Sequence, residues 1–73
     1  MAEIKIKADI TGRVWKVIAA VGTRVEEDEP IIMIESMKME IPVAAPSAGT
    51  VKSLLVGEGD DVAEGQEIIV FET

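Results

Sequence analysis

The chain has 73 residues, of which 48% are hydrophobic, and its 14 acidic and 7 basic side chains give a formal charge of −7. It contains no His and no Cys, which excludes disulfides, thiolate or imidazole metal sites and catalytic triads built on either residue. The negative charge argues against nucleic-acid binding, because phosphate recognition depends on Lys and Arg. No apolar run reaches the roughly 18 residues of a membrane helix, and no signal peptide is evident. We therefore predict one cytoplasmic domain, residues 1–73, with no membrane partner.

The predicted elements are all strands. In chain order they are 4–8, 14–20 and 31–34 in the first half and 41–44, 51–56 and 68–71 in the second, with short extra strands or turns at Val25 and Val62. The alternation of apolar and polar residues slips after Val14 and again after Val51, which predicts a bulge in each half. Four glycines that punctuate the strands are read as turn residues. They are Gly12, Gly22, Gly49 and Gly59.

A gapless repeat relates the two halves of the chain. A shift of 37 positions aligns residues 3–36 with 40–73 and gives 11 identities over the 34 pairs. Repeats 1–37 and 38–73 predict an all-β, eight-stranded flattened barrel or sandwich, in which two four-stranded halves lie face to face about a pseudo-twofold axis. The predicted core consists of Ile6, Val14, Val17, Val25, Ile32 and Ile34 with their mates Val43, Val51, Leu54, Val62, Ile69 and Phe71. Trp15 is predicted to be partly buried, with its indole N–H near solvent.

The join between the repeats places a lysine at a predicted turn. Met37-Lys38-Met39 separates two predicted strands by so few residues that a tight hairpin is expected, with Lys38 at or beside its tip. The repeat maps Lys38 onto Met1, so the chain ends should lie at the opposite end of the molecule. Methionine suits surfaces that dock against partners. On the turn alone, an ordinary solvated lysine is the simpler interpretation.

The residues around this turn resemble the biotin attachment motif of the biotinyl/lipoyl domain family. The motif residues are Glu35, Ser36, Met37, Lys38, Met39 and Glu40, and residues 45–51 and 57–66 extend the resemblance over essentially the whole chain. The resemblance implies a non-catalytic carrier with no catalytic or metal-binding residues, in which a biotin protein ligase joins biotin to Lys38. The biotin would then move carboxyl groups from a biotin carboxylase to a carboxyltransferase, as in acyl-CoA carboxylase.

Two alternatives remain open at this stage. One is a lipoyl carrier of the 2-oxoacid dehydrogenase type, or a dual acceptor of biotin and lipoate, although lipoyl domains more often place Asp and Ala beside the lysine. The other is a β-barrel interaction module without a cofactor. The carboxyl acceptor stays undetermined, and a monomer is expected.

The chain departs from the family pattern at two places. Ser36 stands where the family more often has Ala. Asp28-Glu29 replaces the Gly-Gln that the second repeat keeps as Gly65-Gln66, so the first turn is predicted to differ from the second.

Overall fold

The computed structural model describes residues 2–73, which form eight β-strands. The strands are β1 (Glu3–Lys7), β2 (Gly12–Val17), β3 (Arg24–Val25), β4 (Pro30–Ser36), β5 (Met39–Ala44), β6 (Gly49–Leu54), β7 (Asp61–Val62) and β8 (Glu67–Glu72). The all-β prediction is confirmed. A search of residues 2–73 for a helix long and apolar enough to cross a membrane finds none.

The strands form two four-stranded antiparallel sheets. We call β5-β4-β2-β7 the lysine sheet, because Lys38 joins two of its strands, and β1-β8-β6-β3 the terminal sheet, because it holds the first and last strands. Each sheet keeps two free edges, so the fold is a sandwich. The prediction that each repeat forms its own face is wrong, because each sheet takes strands from both repeats. The two repeats are therefore joined by backbone hydrogen bonds as well as by the apolar core.

The pseudo-twofold symmetry appears directly in two backbone hydrogen bonds between the repeats, one extending each sheet. The Gly22 amide donates to the Val51 carbonyl over 2.7 Å, and the Gly59 amide donates to the Val14 carbonyl over 2.8 Å. These two bonds exchange under the 37-residue shift. The predicted bulges are also confirmed, because the strand register shifts between Val14 and Lys16 and again between Val51 and Ser53.

The core lies between the two sheets. Nine of the twelve predicted core residues are buried, and the other three, Ile6, Val17 and Leu54, are partly buried and pack against them. Ile31 and Ile68 are completely buried although alternation with Ile32 and Ile69 would turn them outward. Each is the extra residue at a second register shift, and a bulge of this kind redirects a side chain. The buried set also includes the small residues Ala8, Ala19 and Ala45.

Two of the predicted turn glycines serve a different purpose. Gly22 and Gly59 lie in turns with φ of 92° and 91°, as predicted. Gly12 and Gly49 instead begin β2 and β6, where the neighbouring strand comes so close that only a hydrogen fits at the Cα. A Cβ at Gly12 would lie 2.5 Å from the Glu35 carbonyl oxygen. Sequence reasoning treated all four glycines alike because close approach leaves no local signal.

The turn at Asp28 matches its mate at Gly65, so the predicted difference between them is wrong. Asp28 has φ of 70° and Gly65 has φ of 86°. The Glu29 carboxylate accepts from the Glu26 amide over 2.7 Å, as the Gln66 side chain accepts from the Ala63 amide over 3.0 Å. Asp tolerates the left-handed region better than most residues, and a carboxylate oxygen replaces the amide oxygen. The first repeat therefore forms the same turn without glycine.

Candidate functional site: the Lys38 hairpin

Lys38 lies at the tip of a two-residue β-hairpin, as predicted. The last residue pair between β4 and β5 joins Ser36 to Met39, which leaves Met37 and Lys38 as the loop. Their φ angles are 50° and 68°. Positive φ at both central residues is the mark of a type I′ turn, whose twist matches that of the paired strands.

The turn is formed by residues that disfavour its geometry. Type I′ turns are usually built from Asn and Gly, because a Cβ in the left-handed region costs roughly 1–2 kcal/mol per residue. Met37 is 92% exposed, Met39 is 62% exposed and Lys38 is exposed as well. Burial within the domain therefore does not offset the backbone cost. Backbone strain of this kind, at residues whose side chains are exposed, is typical of functional sites.

Side-chain hydrogen bonds connect the base of the hairpin to the adjacent loops. The Ser36 hydroxyl donates to the Thr11 carbonyl over 2.9 Å, and the Thr11 hydroxyl accepts from the Glu64 amide over 3.0 Å. Ser36, at the position that departs from the family pattern, therefore holds the hairpin against the loop that precedes β2. Sequence reasoning missed Thr11 and Glu64, because the contacts join segments far apart in the chain.

A row of charged residues crosses the lysine sheet just below the turn. In the strand register, Glu35 on β4 lies opposite Glu40 on β5 and opposite Arg13 on β2. All three residues are exposed. The Arg13 Nε lies 3.3 Å from an Asp61 carboxylate oxygen. The second salt bridge among residues 2–73 lies on the terminal sheet, so no carboxylate of the described chain forms an ion pair with Lys38. The Lys38 amine is open to approach from solvent.

The chain ends lie at the end of the sandwich away from the hairpin. Ala2 and Thr73 exchange backbone hydrogen bonds of 3.3 and 2.8 Å. The turn that contains Glu64 touches the loop behind the hairpin, and β8 runs on from there for six residues, about 20 Å of extended chain. Met1, the predicted mate of Lys38, lies outside the described residues.

Trp15 is more exposed than predicted. It is the bulged residue of β2, its predecessor Val14 is buried, and its own side chain is 49% exposed. The bulge leaves the indole on the outer surface of the lysine sheet.

Fold and site together define a small attachment domain, a β-sandwich that presents one lysine on a strained, solvent-exposed turn. No polar or charged side chain among residues 2–73 is buried. A family model described as "Biotin-requiring enzyme" matches residues 3–71. The chain belongs to this family of biotin/lipoyl attachment domains.

Individual relatives agree with this assignment. The chain is 38% identical over 64 residues to the biotin/lipoyl attachment protein of Bacillus subtilis (strain 168), covering 88% of each chain. It is 39% identical over 64 residues to the biotin carboxyl carrier protein of Streptococcus mutans, covering 88% of this chain and 49% of that protein. It is also 39% identical to the urea amidolyase of Saccharomyces cerevisiae, over 99% of this chain and 4% of that protein.

A solved structure confirms the fold. The crystal structure of Kluyveromyces lactis urea carboxylase aligns over 99% of this chain with a TM-score of 0.92 and 38% identity, and the aligned part is 6% of that chain. This chain therefore corresponds to one small domain within a much longer enzyme, as well as to most of a small attachment protein.

Proposed function

We propose that the chain is a biotin carboxyl carrier and that biotin is joined through an amide bond to the ε-amine of Lys38. The observation that carries the proposal is the position of Lys38, at the tip of a type I′ turn, exposed and without an ion-pair partner among residues 2–73. Family membership and the Streptococcus mutans carrier protein support biotin as the attached group.

The residues present fit such an attachment. The other lysines, Lys5, Lys7, Lys16 and Lys52, all lie on strands, whereas Lys38 lies in the turn between two strands. Lys52 also forms a salt bridge with Glu3. The exposed turn at Lys38 supports this lysine as the site over those on the strands.

Attachment requires only that Lys38 act as a nucleophile. Its amine nitrogen would attack the carbonyl carbon of an activated biotinyl adenylate, AMP would leave, and the nitrogen would lose a proton as the amide forms. A biotin protein ligase would supply the activated carbonyl. When bound, biotin would carry a carboxyl group from a biotin carboxylase to a carboxyltransferase. The domain contributes a fixed base and a raised local concentration of the tethered group at each enzyme.

The intact mass of the chain tests this proposal. The chain is co-expressed with a biotin protein ligase as wild type, as Lys38→Arg and as Lys16→Arg, the matched control on the same sheet. We expect one biotin adduct on the wild type and on Lys16→Arg and none on Lys38→Arg. An adduct that survives Lys38→Arg would refute the assignment of the site.

The same assay addresses a lipoyl carrier, which the name of the Bacillus subtilis relative keeps as the second candidate. An adduct formed by a lipoate ligase, with none from the biotin ligase, would replace the proposed cofactor and leave Lys38 as the attachment point.

A further inference from the structure

The two sheets share one backbone plan but differ in the chemistry of their outer faces. On the lysine sheet, one cross-strand row joins Lys16, Met33 and Pro42, and the bulged Trp15 lies beside it. The 37-residue shift maps these four positions onto the terminal sheet. The equivalent residues there are Ser53, Val70, Lys5 and the bulged Lys52. We call Trp15, Met33 and Pro42 the apolar row.

The terminal sheet shows what the fold requires at these positions. Lys52 pairs there with Glu3. Its hydrogen bond and positive charge lower the pKa of the Glu3 carboxyl, and Glu3 in turn raises the pKa of Lys52. The same bulge thus accepts a charged, solvated residue. The sandwich does not need tryptophan at the bulge or proline across the row, so folding does not explain Trp15 and Pro42, although Met33 matches an apolar residue, Val70.

The apolar row is continuous with the Lys38 hairpin. Met33 precedes Met37 by four residues along the chain, a distance of about 13 Å. A typical interface buries about 800 Å² on each partner, which corresponds to a disc about 16 Å in radius. A protein that docks on the outer face of the lysine sheet beside the hairpin would therefore reach the apolar row as well as Met37 and Met39.

We infer that the apolar row is the docking surface for the ligase that modifies Lys38; this inference rests on the proposed function. An enzyme that acts on the free amine must approach within the length of a lysine side chain, so it has to bind the protein surface around the turn. Enzymes that use the attached group, in contrast, reach it at the far end of the extended lysine side chain that carries it. Tryptophan is enriched among the residues that dominate binding energy.

The charges around the apolar row define the partner surface further. Glu35 and Glu40 lie between the row and the turn, and the chain as a whole carries a charge of −7. The complementary ligase surface would be an apolar pocket for the indole, with basic groups that face the two glutamates. Such charges mainly steer association and fix orientation, while the buried aromatic side chain slows dissociation.

The internal symmetry supplies both the test variant and its control. Trp15→Lys places at the bulge of the lysine sheet the residue found at the equivalent bulge of the terminal sheet. Lys52→Trp is the control, because it places tryptophan at the bulge of the sheet without the hairpin. Trp15→Gln separates the loss of the indole from the gain of charge. Urea unfolding of each variant shows that the fold is retained. The full chain, free of biotin, is then titrated against a purified biotin protein ligase with biotin and ATP.

We expect both Trp15 variants to raise the KM for the carrier by about tenfold, equivalent to about 1.4 kcal/mol, with kcat changed less than about twofold. Lys52→Trp should leave both constants unchanged. An unchanged KM for the Trp15 variants, or an equal effect from Lys52→Trp, would overturn the inference while Lys38 still takes biotin. The inference also fails if the Trp15 variants impair only the carboxylase step, or if they only dissociate a dimer seen by sedimentation. A wild-type chain that accepts no biotin would instead refute the proposed function, and the inference with it.

Discussion

At the level of single residues, glycine meets two separate physical needs in this chain. Gly22 and Gly59 supply positive φ in turns, with no atom within 4 Å of the position that a Cβ would occupy. Gly12 and Gly49 supply space, because a Cβ at Gly49 would lie 2.5 Å from the Glu72 carbonyl oxygen and 2.7 Å from the Phe71 ring. The second need matters more for the site, since Gly12 sets the distance between β2 and the end of β4, just below the hairpin.

Gly12→Ala and Gly49→Ala should therefore each lower the free energy of unfolding by about 1–3 kcal/mol, the usual range for overpacking a close contact. The clash is with backbone atoms, which cannot move aside without disturbing the strand pairing. Urea denaturation monitored by the fluorescence of the single tryptophan measures the change.

Gly57→Ala is the matched control for this prediction. The Cβ added there would meet its nearest atom, the Asp60 carboxylate, at 3.9 Å, so a change within about 1 kcal/mol is expected. If all three substitutions have the same effect, the loss reflects glycine flexibility rather than close approach.

At the level of elements, the position of the hairpin is well defined by the sequence, but its two loop residues are unfavourable for the turn that they form. Its length and place could be predicted from the sequence, because the repeat fixes both flanking strands and leaves only a few residues between them. The type I′ geometry could not be predicted, since the Asn-Gly signal that normally identifies it is absent. Met37 and Lys38 take left-handed conformations because the strand pairing on either side, from Pro30 to Ala44, requires that twist.

Met37→Asn should stabilise the domain by about 0.5–1 kcal/mol, because Asn tolerates the left-handed region and the 92% exposed methionine gives up almost no packing. Urea unfolding checks the gain. The matched control is Met39→Asn, which lies on β5 and should give no gain. Equal gains from both variants would show that the effect comes from the loss of an exposed methionine and not from backbone strain.

At the level of the whole molecule, the repeat predicted the symmetry but not how the strands are distributed between the sheets. A shift of 37 residues states which residues are equivalent, and the hydrogen bonds at Gly22 and Gly59 confirm it. It does not state which sheet each strand joins. Strands β1 and β5, like the two-residue strands β3 and β7, pair with strands of the other repeat. The apolar pattern of a strand shows which residues face the core and does not show which strand lies beside it. The exposure of Trp15 escaped prediction for a related reason, because a bulge changes the direction of one side chain without changing the sequence pattern around it.

The twofold core makes a quantitative prediction about the whole molecule. Val14 and Val51 are 1% and 0% exposed and occupy equivalent positions, opposite Ile34 and Phe71 respectively. Val14→Ala and Val51→Ala should each lower the free energy of unfolding by about 1–3 kcal/mol, from lost burial and the cavity left behind. The two values should agree within about 1 kcal/mol, the difference reflecting how far an isoleucine or a phenylalanine can relax into the space.

Urea denaturation gives both free energies of unfolding, with one slope of free energy against urea concentration used for all variants. Val21→Ala provides the baseline. Val21 is 58% exposed, so its truncation should change stability by no more than about 0.5 kcal/mol. Because each sheet holds strands from both repeats, each of the two variants should also unfold in a single transition. One severe and one neutral substitution, or two separate transitions, would mean that the repeats do not form one shared core.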